Sequence, residues 1–465
     1  MSEFTDKLVQ HSRSGAYPMH MPGHKRRALF FEEDDALTGI RAIDITEIEG
    51  FDNLNDPEGI IRDLEDRLAG IFGSPHSAIL VNGSTCGNLA AVTACVKRGG
   101  TILMARNSHI SAYNAAAVND LECRYLYPSE CHGLGINGGI DPEDVRRALK
   151  ECPQIQAVFI TSPTYEGIIS DVGAIAEAAH DAGIPLIVDE AHGAHLGMYE
   201  PFVTKYGMQS AIKCGADISI QSLHKTLPSL TQTAVLHYAG TLIDPARLKR
   251  SIATYQTSSP SYVLMAGVDR CLDILEEKGK ELFEEYDKNL NRFYDMAGSL
   301  ANIWLMRPED LMGGSDIKGV DIGKLIIFAP RGRGLYDTLI HEYNIYPEMY
   351  GRNYCLAMTS LMDNSEGFEA LAKALFDCDE KYVTFGHNEL KLKALTNIFH
   401  PASVMKISSA LDGAESAYDP AMICRNFVYA YPPGVPVMVP GELFTEEIFG
   451  LMDELDEGGI TMRYM

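Results

Sequence analysis

A single lysine stands between two short apolar runs in the stretch DISIQSLHKTLPSLTQTAVLHY. Asp217–Ile220 and Ala234–Tyr238 have the pattern of strands, and Lys225 lies in the hydroxyl-rich segment between them, directly after His224. Burial between strands lowers the pKa of a lysine, leaving a free amine that can attack a carbonyl and form a Schiff base. Because most lysines are solvated, Lys225 alone is weak evidence for catalysis.

A carboxylate and two histidines follow the apolar run Pro185–Val188, in the order Asp189, His192 and His195. A carboxylate at the end of a buried strand is costly without a partner, and the protonated ring nitrogen of a bound heterocycle would supply one. His192 is then placed to reach a neighbouring oxygen of the same ligand. A metal site and a structural salt bridge are the alternatives, although the zinc-protease pattern H-E-x-x-H is absent.

Hydroxyl groups and glycines follow the apolar run Ala78–Val81 where a helix is predicted to begin. The residues concerned are Gly83, Ser84, Thr85 and Asn88. Hydroxyls and free backbone N–H groups at a helix N-terminus suit a phosphate, but the same residues could also form a plain helix cap. The P-loop motif G-x-x-x-x-G-K-[ST] is absent, which disfavours a nucleoside triphosphate site.

Two more polar segments come directly after apolar runs. His109 follows Thr101–Met104. Its ring could stack on an aromatic ligand, or His109 could be an ordinary loop histidine without a ligand. Thr161–Gly167 follows Ala157–Ile160 and is polar and turn-forming, which makes it a candidate wall of a pocket.

Strand patterns and helix patterns alternate along the part of the chain that contains these polar segments. Helical spacing of apolar residues occurs at 60–72, Gly87–Val96 and Val172–Ala182, between the short apolar runs already named. This order predicts an α/β fold with a mostly parallel sheet covered by helices. Ligands of such sheets bind at the carboxyl ends of the strands, where the polar residues lie.

The length of the chain, 465 residues, predicts more than one domain. We predict an N-terminal arm at 1–55, a large domain at 56–297, a smaller α+β domain at 298–382 and a C-terminal domain at 383–465. The supporting elements beyond the sheet are a long helix at Tyr262–Ala297, a strand at Lys324–Ala329, helices at Gly334–Glu342 and Phe368–Asp379, and a polar tail.

Composition narrows the class of function. The net charge of −25 disfavours binding to nucleic acid or anionic membranes, and no apolar run approaches the length of a membrane span. Ten cysteines without a C-x-x-C pair predict neither a zinc site nor a disulfide framework, so no metal is expected. With no apolar leader at the N-terminus, these features predict a soluble cytoplasmic protein.

The candidate residues together match one cofactor. A phosphate cradle, a stacking histidine, a carboxylate for a ring nitrogen and a lysine for an aldehyde are the groups that pyridoxal 5′-phosphate (PLP) requires. Their order along the chain follows the order of the predicted strands. The joint pattern is far more specific than any one of its members.

The sequence resembles the fold type I PLP-dependent enzymes and, within them, the shorter Gram-positive-type members of the Orn/Lys/Arg decarboxylase family. The motifs that carry the resemblance run almost from end to end: Met21–Lys25, Asp44–Gly59, Val81–Asn88, Asn107–His109, Thr161–Gly167, Val188–His195, Gln221–Thr226 and Tyr431–Glu442. The resemblance implies a large domain like that of aspartate aminotransferase, followed by smaller α+β domains.

The resemblance also implies roles for individual residues. The cofactor-binding set is Gly83, Ser84, Thr85, Asn88, His109, Asp189, His192, Ser222, His224 and Lys225. Within it, Lys225 forms the Schiff base, Asp189 pairs with the pyridine nitrogen and His109 stacks on the ring. Ser84, Thr85, Ser222 and His224 hold the phosphate, and His192 lies near the phenolic oxygen of the cofactor. The residues expected to take part in catalysis are Lys225, His224, His109, Asp189 and His192.

The implied reaction is α-decarboxylation of arginine, lysine or ornithine to a polyamine-type amine and CO2. Lys225 or His224 then returns a proton to the α-carbon. Family members are dimers or dimers of dimers with shared active sites, so the arm around His24–Lys25 and Glu47–Asn53 is a candidate contributor to a neighbour's site. The candidate partners for the distal cation of the substrate are Glu47, Glu49, Asp52 and Glu348.

Two other functions stay open on sequence grounds. One is a different fold type I activity, an α-oxoamine synthase or an aminotransferase, since the pair of Asp189 and His192 also resembles the synthases. The His-Lys pair at 224–225 and the run Tyr431–Glu442 argue against it. The other is a non-catalytic paralogue that binds PLP without turning over an amino acid.

Overall fold

The structure is a computed structural model that describes residues 3–14, 21–22, 38–129, 131, 135–312, 316–382, 402–430, 434–457 and 462–464. The predicted contribution of His24–Lys25 to a neighbouring site lies outside these residues. Two helices precede the large sheet, α1 (Glu3–Arg13) and α2 (Thr38–Ile43).

One large sheet organises the first half of the chain. The strands in this region are β1 (His76–Leu80), β2 (Thr101–Ala105), β3 (Glu122–Leu126), β4 (Ile155–Thr161), β5 (Ile168–Ser170), β6 (Leu186–Asp189), β7 (Ile218–Ser222) and β8 (Ala234–Tyr238). Seven of them form a sheet in the order β1-β8-β7-β6-β4-β2-β3, in which β8 alone runs antiparallel to its neighbours. The predicted mostly parallel sheet is therefore confirmed.

Strand β3 is the one member of this sheet that the sequence did not predict. Its residues, ECRYL, include two charges and give no apolar run. Because β3 lies at the edge of the sheet, beside β2 only, it does not need side chains that are buried on both faces.

Helices cover both faces of the sheet. They are α3 (Ile60–Phe72), α4 (Gly83–Cys95), α5 (Ile110–Val118), α6 (Pro142–Glu151), α7 (Val172–Asp181), α8 (Glu200–Tyr206), α9 (Leu223–Thr226), α10 (Pro245–Tyr255) and α11 (Tyr262–Ala297). Successive side chains of β2 face opposite layers, as the two-residue period of a strand requires. Ile102 and Met104 belong to the apolar core shared with α4, α5 and α10, whereas Leu103 and Ala105 belong to the core shared with α6 and α7.

The long helix α11 has the bounds predicted from the sequence and connects the large sheet to the rest of the chain. The N-terminal α1 packs on it: the rings of Phe4 and Tyr262 are stacked 6.1 Å apart, and Thr5 N donates to Asp269 at 3.1 Å. Arg67 of α3 donates to the same Asp269 at 2.9 Å. Within the described ranges, no helix combines the length and apolar character needed to cross a bilayer.

A second, antiparallel sheet follows α11. Its region contains β9 (Trp304–Leu305), α12 (Pro308–Leu311), β10 (Ile317–Val320), β11 (Lys324–Phe328), α13 (Gly332–Tyr343), β12 (Met349–Tyr350), β13 (Tyr354–Met358) and α14 (Ser365–Asp379). Four strands form the sheet in the order β12-β13-β11-β9, while β10 pairs with β5 of the first half of the chain. An α+β part thus follows the large sheet, and the separate two-stranded β5–β10 pair connects it to the first half of the chain. The domain bounds drawn from the sequence stay a prediction.

The C-terminal part contains α15 (Ile407–Leu411), β14 (Val428–Ala430), β15 (Pro436–Met438), α16 (Glu446–Glu457) and β16 (Met462–Tyr464). The three strands form a small antiparallel sheet in the order β15-β14-β16. The prediction of a polar tail is wrong here, because α16 presents apolar residues such as Ile448 to the interior and β16 pairs with β14. The first residues of the predicted Tyr431–Glu442 run, 431–433, lie outside the described part.

Candidate active site

A cavity of about 410 Å³ lies at the carboxyl ends of the parallel strands. It is lined by nine of the ten residues that the sequence proposed for a cofactor: Gly83, Ser84, Thr85, His109, Asp189, His192, Ser222, His224 and Lys225. The tenth, Asn88, does not line the cavity but donates a hydrogen bond to Asp189, which does. A larger groove of about 780 Å³ runs beside β3 and contains none of the ten.

Lys225 lies on α9, a single helical turn that begins directly after β7. The sequence predicted only a polar segment between two strands at this place. Its amine faces the cavity, and burial lowers the pKa of Lys225 below that of an ordinary lysine, although the charges of Asp189 and Glu348 oppose the shift. The side chain therefore has the character of a nucleophilic amine.

Asp189 is the last residue of β6 and is almost completely buried. Its Oδ2 accepts a hydrogen bond of 2.8 Å from Asn88 Nδ2, and its Oδ1 accepts one of 3.1 Å from Ala191 N. Because both oxygens have a donor, the carboxylate is held in one orientation with its charge stabilised. It faces the cavity from the strand next to the one that leads to Lys225.

The N-terminus of α4 is the place where the sequence predicts an anion site. Its N-cap residue, Asn82, makes no side-chain hydrogen bond to the first turn, so the leading N–H groups are not capped by that side chain. Ser222 at the end of β7 donates to Ser84 Oγ at 3.0 Å, which places two hydroxyls at the helix end. Gly83 has a φ of 73°, a conformation that glycine adopts without strain. Uncapped N–H groups and hydroxyls at a helix N-terminus are suited to a phosphate.

His109 caps the N-terminus of α5 and lines the opposite wall. Its Nδ1 accepts from Ser111 N at 3.2 Å and lies 2.8 Å from the Ser111 hydroxyl, which fixes the plane of the ring. Burial lowers the pKa of His109, and the nearby Lys225 acts in the same direction while Asp189 opposes it. A neutral, oriented imidazole of this kind offers a flat face for an aromatic ligand.

His192 lies between two lysines. Its Nε2 is 3.0 Å from Lys225 Nζ, and its Nδ1 is 2.9 Å from Lys324 Nζ. The ring packs 4.5 Å from the ring of Tyr165, centre to centre. Burial holds the pKa of His192 well below its usual range, and the charges of Lys324 and Lys225 add to the effect. His192 is therefore neutral at physiological pH.

Lys324 is a site residue that the sequence analysis missed. It is only 4% exposed, and burial lowers its pKa to about 8 despite the nearby charge of Asp321. It begins β11, whose remaining residues are apolar. A lysine at the head of a fully buried strand was the signal available in the sequence, because lysines are rarely buried without a specific partner.

Of the four acids proposed for the distal cation of a substrate, one lies in the cavity. Glu348 lines it and accepts a hydrogen bond from the hydroxyl of Tyr165. Asp52 instead binds the chain just before α3: its carboxylate accepts hydrogen bonds from the backbone N–H groups of Glu58 and Gly59 at 3.0 and 2.7 Å. Glu47 and Glu49 do not line this cavity.

A buried ion pair attaches the C-terminal part to the wall that carries His109. Arg106 Nε donates to Glu442 at 3.0 Å, and its Nη1 donates to Pro436 O at 2.7 Å. The backbone N–H of Ile110 donates to Gly434 O at 3.1 Å. These contacts bring Val435 into the lining of the cavity.

The polar groups of the cavity fit PLP. Asp189 suits a pyridinium nitrogen, the α4 N-terminus suits a phosphate dianion and Lys225 suits an aldehyde. Three buried oxygens around the site have no hydrogen-bond partner among the described residues: Asn88 Oδ1, Asn107 Oδ1 and Thr161 Oγ1. Unpartnered buried oxygens are uncommon in folded proteins, and they favour a polar ligand in this space.

The sequence is similar to known decarboxylases over its whole length. A model of the family described as "Orn/Lys/Arg decarboxylase, major domain" matches residues 2–315. The arginine decarboxylase of Bacillus subtilis is 30% identical over 463 residues, covering 97% of this chain and 93% of the relative. YaaO of the same organism, described as uncharacterized, is 31% identical over 451 residues, covering 95% and 91%.

Solved structures resemble the chain in fold. The lysine decarboxylase of Francisella novicida matches with a TM-score of 0.81 at 21% identity, covering 99% of this chain and 78% of that one. Lysine decarboxylase A of Pseudomonas aeruginosa matches with a TM-score of 0.80 at 20% identity, covering 98% and 76%. A serine palmitoyltransferase of Sphingomonas wittichii matches less closely, with a TM-score of 0.54 over 72% of this chain and 82% of its own at 14% identity.

Proposed function

The chain belongs to the Orn/Lys/Arg decarboxylase family and is a decarboxylase of a basic amino acid; from this premise we propose that it uses PLP and that its substrate is arginine. Arginine is supported by four relatives of 27–30% identity that carry the name arginine decarboxylase and align over nearly the whole chain. Three lysine decarboxylases are 22–27% identical, and the chain covers 75–76% of their length, against 93–95% for the four arginine decarboxylases.

The observation that carries the proposal is the position of Lys225, Asp189 and the α4 N-terminus around one cavity. Bound PLP supplies an electron-withdrawing ring that takes up the electron pair left at the α-carbon when CO2 departs. Asp189 keeps the proton on the ring nitrogen, and Asn88 keeps Asp189 oriented. His109 covers one face of the ring.

The other end of the cofactor is held by the first turn of α4. Its N–H groups, together with the hydroxyls of Ser84, Thr85 and Ser222, would hold the phosphate, and the Ser222 hydroxyl, which here donates to Ser84 Oγ, would turn to it. An anchored phosphate would orient the cofactor toward Lys225. His224 also lines this part of the cavity, and its Nδ1 lies 2.9 Å from Thr233 O, which leaves its Nε2 free to accept a proton.

Decarboxylation exchanges CO2 for a proton at the same carbon. For arginine, the amino acid and one proton give CO2 and the amine agmatine. Lys225 and His224 are the residues we assign to the delivery of that proton, because they line the cavity next to each other. The low pKa of Lys225 allows its amine to release a proton as well as to accept one.

We propose further that the enzyme is a homodimer or a dimer of dimers, acts in the cytoplasm and supplies an amine for polyamine biosynthesis. All ten cysteines are free thiols, which fits a reducing compartment. The oligomer rests on the resemblance to the family, and the segment Glu47–Asn53 is the candidate that reaches a neighbour's site. Sedimentation of the PLP-loaded protein will report its mass.

A substrate panel tests the function. The purified protein is loaded with PLP and incubated separately with carboxyl-labelled arginine, lysine and ornithine, without a keto acid or acyl-CoA. We expect labelled CO2 and the matching amine from arginine, and neither product from Lys225→Ala, which also loses the absorbance of the lysine-bound cofactor. A requirement for a keto acid or an acyl-CoA would instead support an aminotransferase or an α-oxoamine synthase.

A further inference from the structure

The imidazole of His192 is bracketed by two lysine amines, at 3.0 Å from Lys225 and 2.9 Å from Lys324. We infer that Lys324 is a positioning residue that keeps the ring proton of His192 on Nε2 and passes a proton through this ring to Lys225. The inference rests on the proposed function only in its last step, the use of that proton in decarboxylation.

The number of donors determines where the proton lies. A neutral imidazole has one N–H and one lone pair, whereas an ammonium group can only donate. If Lys324 is an ammonium, His192 Nδ1 must accept from it, and the ring proton must be on Nε2. The Nε2–H then points to Lys225 Nζ, which can accept only as a neutral amine. This arrangement gives each of the two observed contacts one donor and one acceptor.

The surroundings of the three groups agree with this assignment. The carboxylates near Lys324 are those of Asp321, Glu166 and Glu348, and they favour its charged form. A charged Lys225 would repel the ammonium form of Lys324, and this repulsion is smaller when Lys225 is a neutral amine. With a pKa of about 8, Lys324 is mostly protonated at pH 7. The remaining titratable groups that act on His192 are His109 and His224, both with a lowered pKa.

The geometry that holds Lys324 in place comes from both halves of the chain. Asp321, which stands just before β11, donates its backbone N–H to Gly167 O at 2.8 Å, and its carboxylate lies 3.2 Å from His195 Nε2. A methyl group at Gly167 would come within 2.8 Å of the Lys324 side chain, which shows how closely that chain is packed. Lys324 therefore has little freedom to leave His192.

The relay conserves protons at each step. An N–H proton leaves Lys324 for His192 Nδ1 while the Nε2 proton of His192 leaves for Lys225. Lys324 becomes a neutral amine and Lys225 an ammonium, which then supplies the proton that replaces CO2. The starting state is restored when His192 Nδ1 returns its proton to Lys324 and His192 Nε2 takes up one proton from solvent in each turnover. No oxidant, reductant or further reactant is required.

The tautomer of His192 is the first test, and it does not depend on activity. The full chain without cofactor is labelled with 15N-histidine, and the signals of His192 are assigned with His192→Gln. We expect the proton on Nε2 in the parent protein. In Lys324→Met, Lys225 is the lysine left beside the ring, and Asp189 and Glu348 favour its ammonium form, which donates to Nε2; the ring proton should therefore move to Nδ1. Lys373→Met, at an exposed lysine of α14, is the matched control and should leave the spectrum unchanged.

Arginine at position 324 separates positioning from proton transfer. A guanidinium donates but does not give up its proton at neutral pH. Lys324→Arg should therefore keep the proton of His192 on Nε2, as in the parent. The inference is overturned if Lys324→Met keeps the parental tautomer, if Lys324→Arg shifts it, or if the parent carries the proton on Nδ1.

Kinetics of the PLP-loaded enzyme provide the second test. We expect kcat to fall on the order of 10- to 100-fold in both Lys324→Met and Lys324→Arg, with KM changed less than about threefold. The parent should lose activity as the pH rises through about 8, the pKa of Lys324, and this limb should be missing in Lys324→Met. Unchanged kcat in either variant would refute the relay.

A double variant shows whether Lys324 acts through His192. Lys324→Met should lower kcat in the parent but have little further effect in His192→Phe, because the group through which it acts is already gone. Independent, multiplicative losses would overturn the inference. If no amino acid is decarboxylated while the tautomer responds to Lys324 as expected, the proposed function fails and the positioning of His192 by Lys324 stands.

Discussion

Asn88 donates to Asp189 across 101 positions of sequence, with its Nδ2 2.8 Å from Asp189 Oδ2. The same Nδ2 donates to Ser111 Oγ at 2.9 Å, and Ser111 in turn contacts the ring of His109. One amide thus links the carboxylate assigned to the ring nitrogen with the histidine assigned to the ring face. The two cofactor contacts are positioned together and not one by one.

Loss of this amide should weaken cofactor binding. In Asn88→Ala, Asp189 keeps only the Ala191 N–H, and the expected loss of about 1–2 kcal/mol corresponds to roughly 5- to 30-fold weaker PLP binding. The measurement is a titration of cofactor absorbance. Asn119→Ala is the control, because Asn119 is also buried but bonds to Thr93 and Ala115, away from the site. Equal weakening in both variants would contradict the prediction.

Glu348 should contribute to recognition of a cationic side chain. Removal of its charge in Glu348→Gln is expected to raise KM for arginine at least tenfold, because the cavity then lacks that carboxylate as a partner for the guanidinium. Initial rates over a range of arginine concentrations provide the measurement. Glu342→Gln, an exposed position on α13, should leave KM unchanged. An unchanged KM in Glu348→Gln would remove Glu348 from the substrate site.

The ion pair of Arg106 and Glu442 should be important for stability. Both side chains are buried, so removal of one leaves the other uncompensated, at a cost of about 3–5 kcal/mol. We expect a large drop in the thermal midpoint of Glu442→Leu and of Arg106→Met. The double variant should lose less than the sum of the two, since no charge is then left unpaired. Additive losses would argue against a coupled pair.

Glu65 should make stability depend on pH. Burial raises its pKa to about 7 from the ordinary 4.5, so the folded chain binds more protons than the unfolded chain between these values. Stability contributed at this position therefore falls as the pH rises from about 4.5 to about 7. The glutamine of Glu65→Gln does not titrate. The free energy of unfolding of this variant, relative to that of the parent, should therefore rise by on the order of 1–3 kcal/mol across this window. Thermal midpoints at pH 5 and 8 measure the difference.

The comparison for Glu65→Gln is Asp63→Asn, on an exposed turn of the same helix. The thermal midpoint of this variant should equal that of the parent at both pH values. If the midpoints of Glu65→Gln and the parent differ by the same amount at both pH values, the raised pKa of Glu65 is contradicted.

The sequence predicted the parts of the site that depend on local pattern. A polar residue after an apolar run marks the end of a strand, and this rule located Asp189, His109 and the segment of Lys225. All of them line the cavity because parallel strands end at the same edge of the sheet. The bounds of β8 and α11 agree with the prediction: β8 is a short apolar run, and α11 has a long helical pattern.

What the sequence did not predict depends on contacts between distant segments. Lys324 meets His192 across 132 positions, and Arg106 meets Glu442 across 336. Local periodicity contains no information on such pairings, so the lysine at the head of the predicted strand could be noticed but its partner could not be identified. Edge strand β3 was missed for a different reason, because its exposed side weakens the apolar pattern by which strands are identified.

The β5–β10 pair and the contacts of Arg106 bring groups from three regions of the chain to one cavity. The part that matches the family's major domain ends at residue 315, and Lys324, Glu348 and Val435 all lie beyond it. Lys225, Asp189 and the α4 N-terminus lie within it. Residues 2–315 contain the groups proposed to hold the cofactor but not Lys324, which contacts His192 Nδ1. The proposed cofactor contacts and the proposed positioning of His192 thus come from different stretches of the chain.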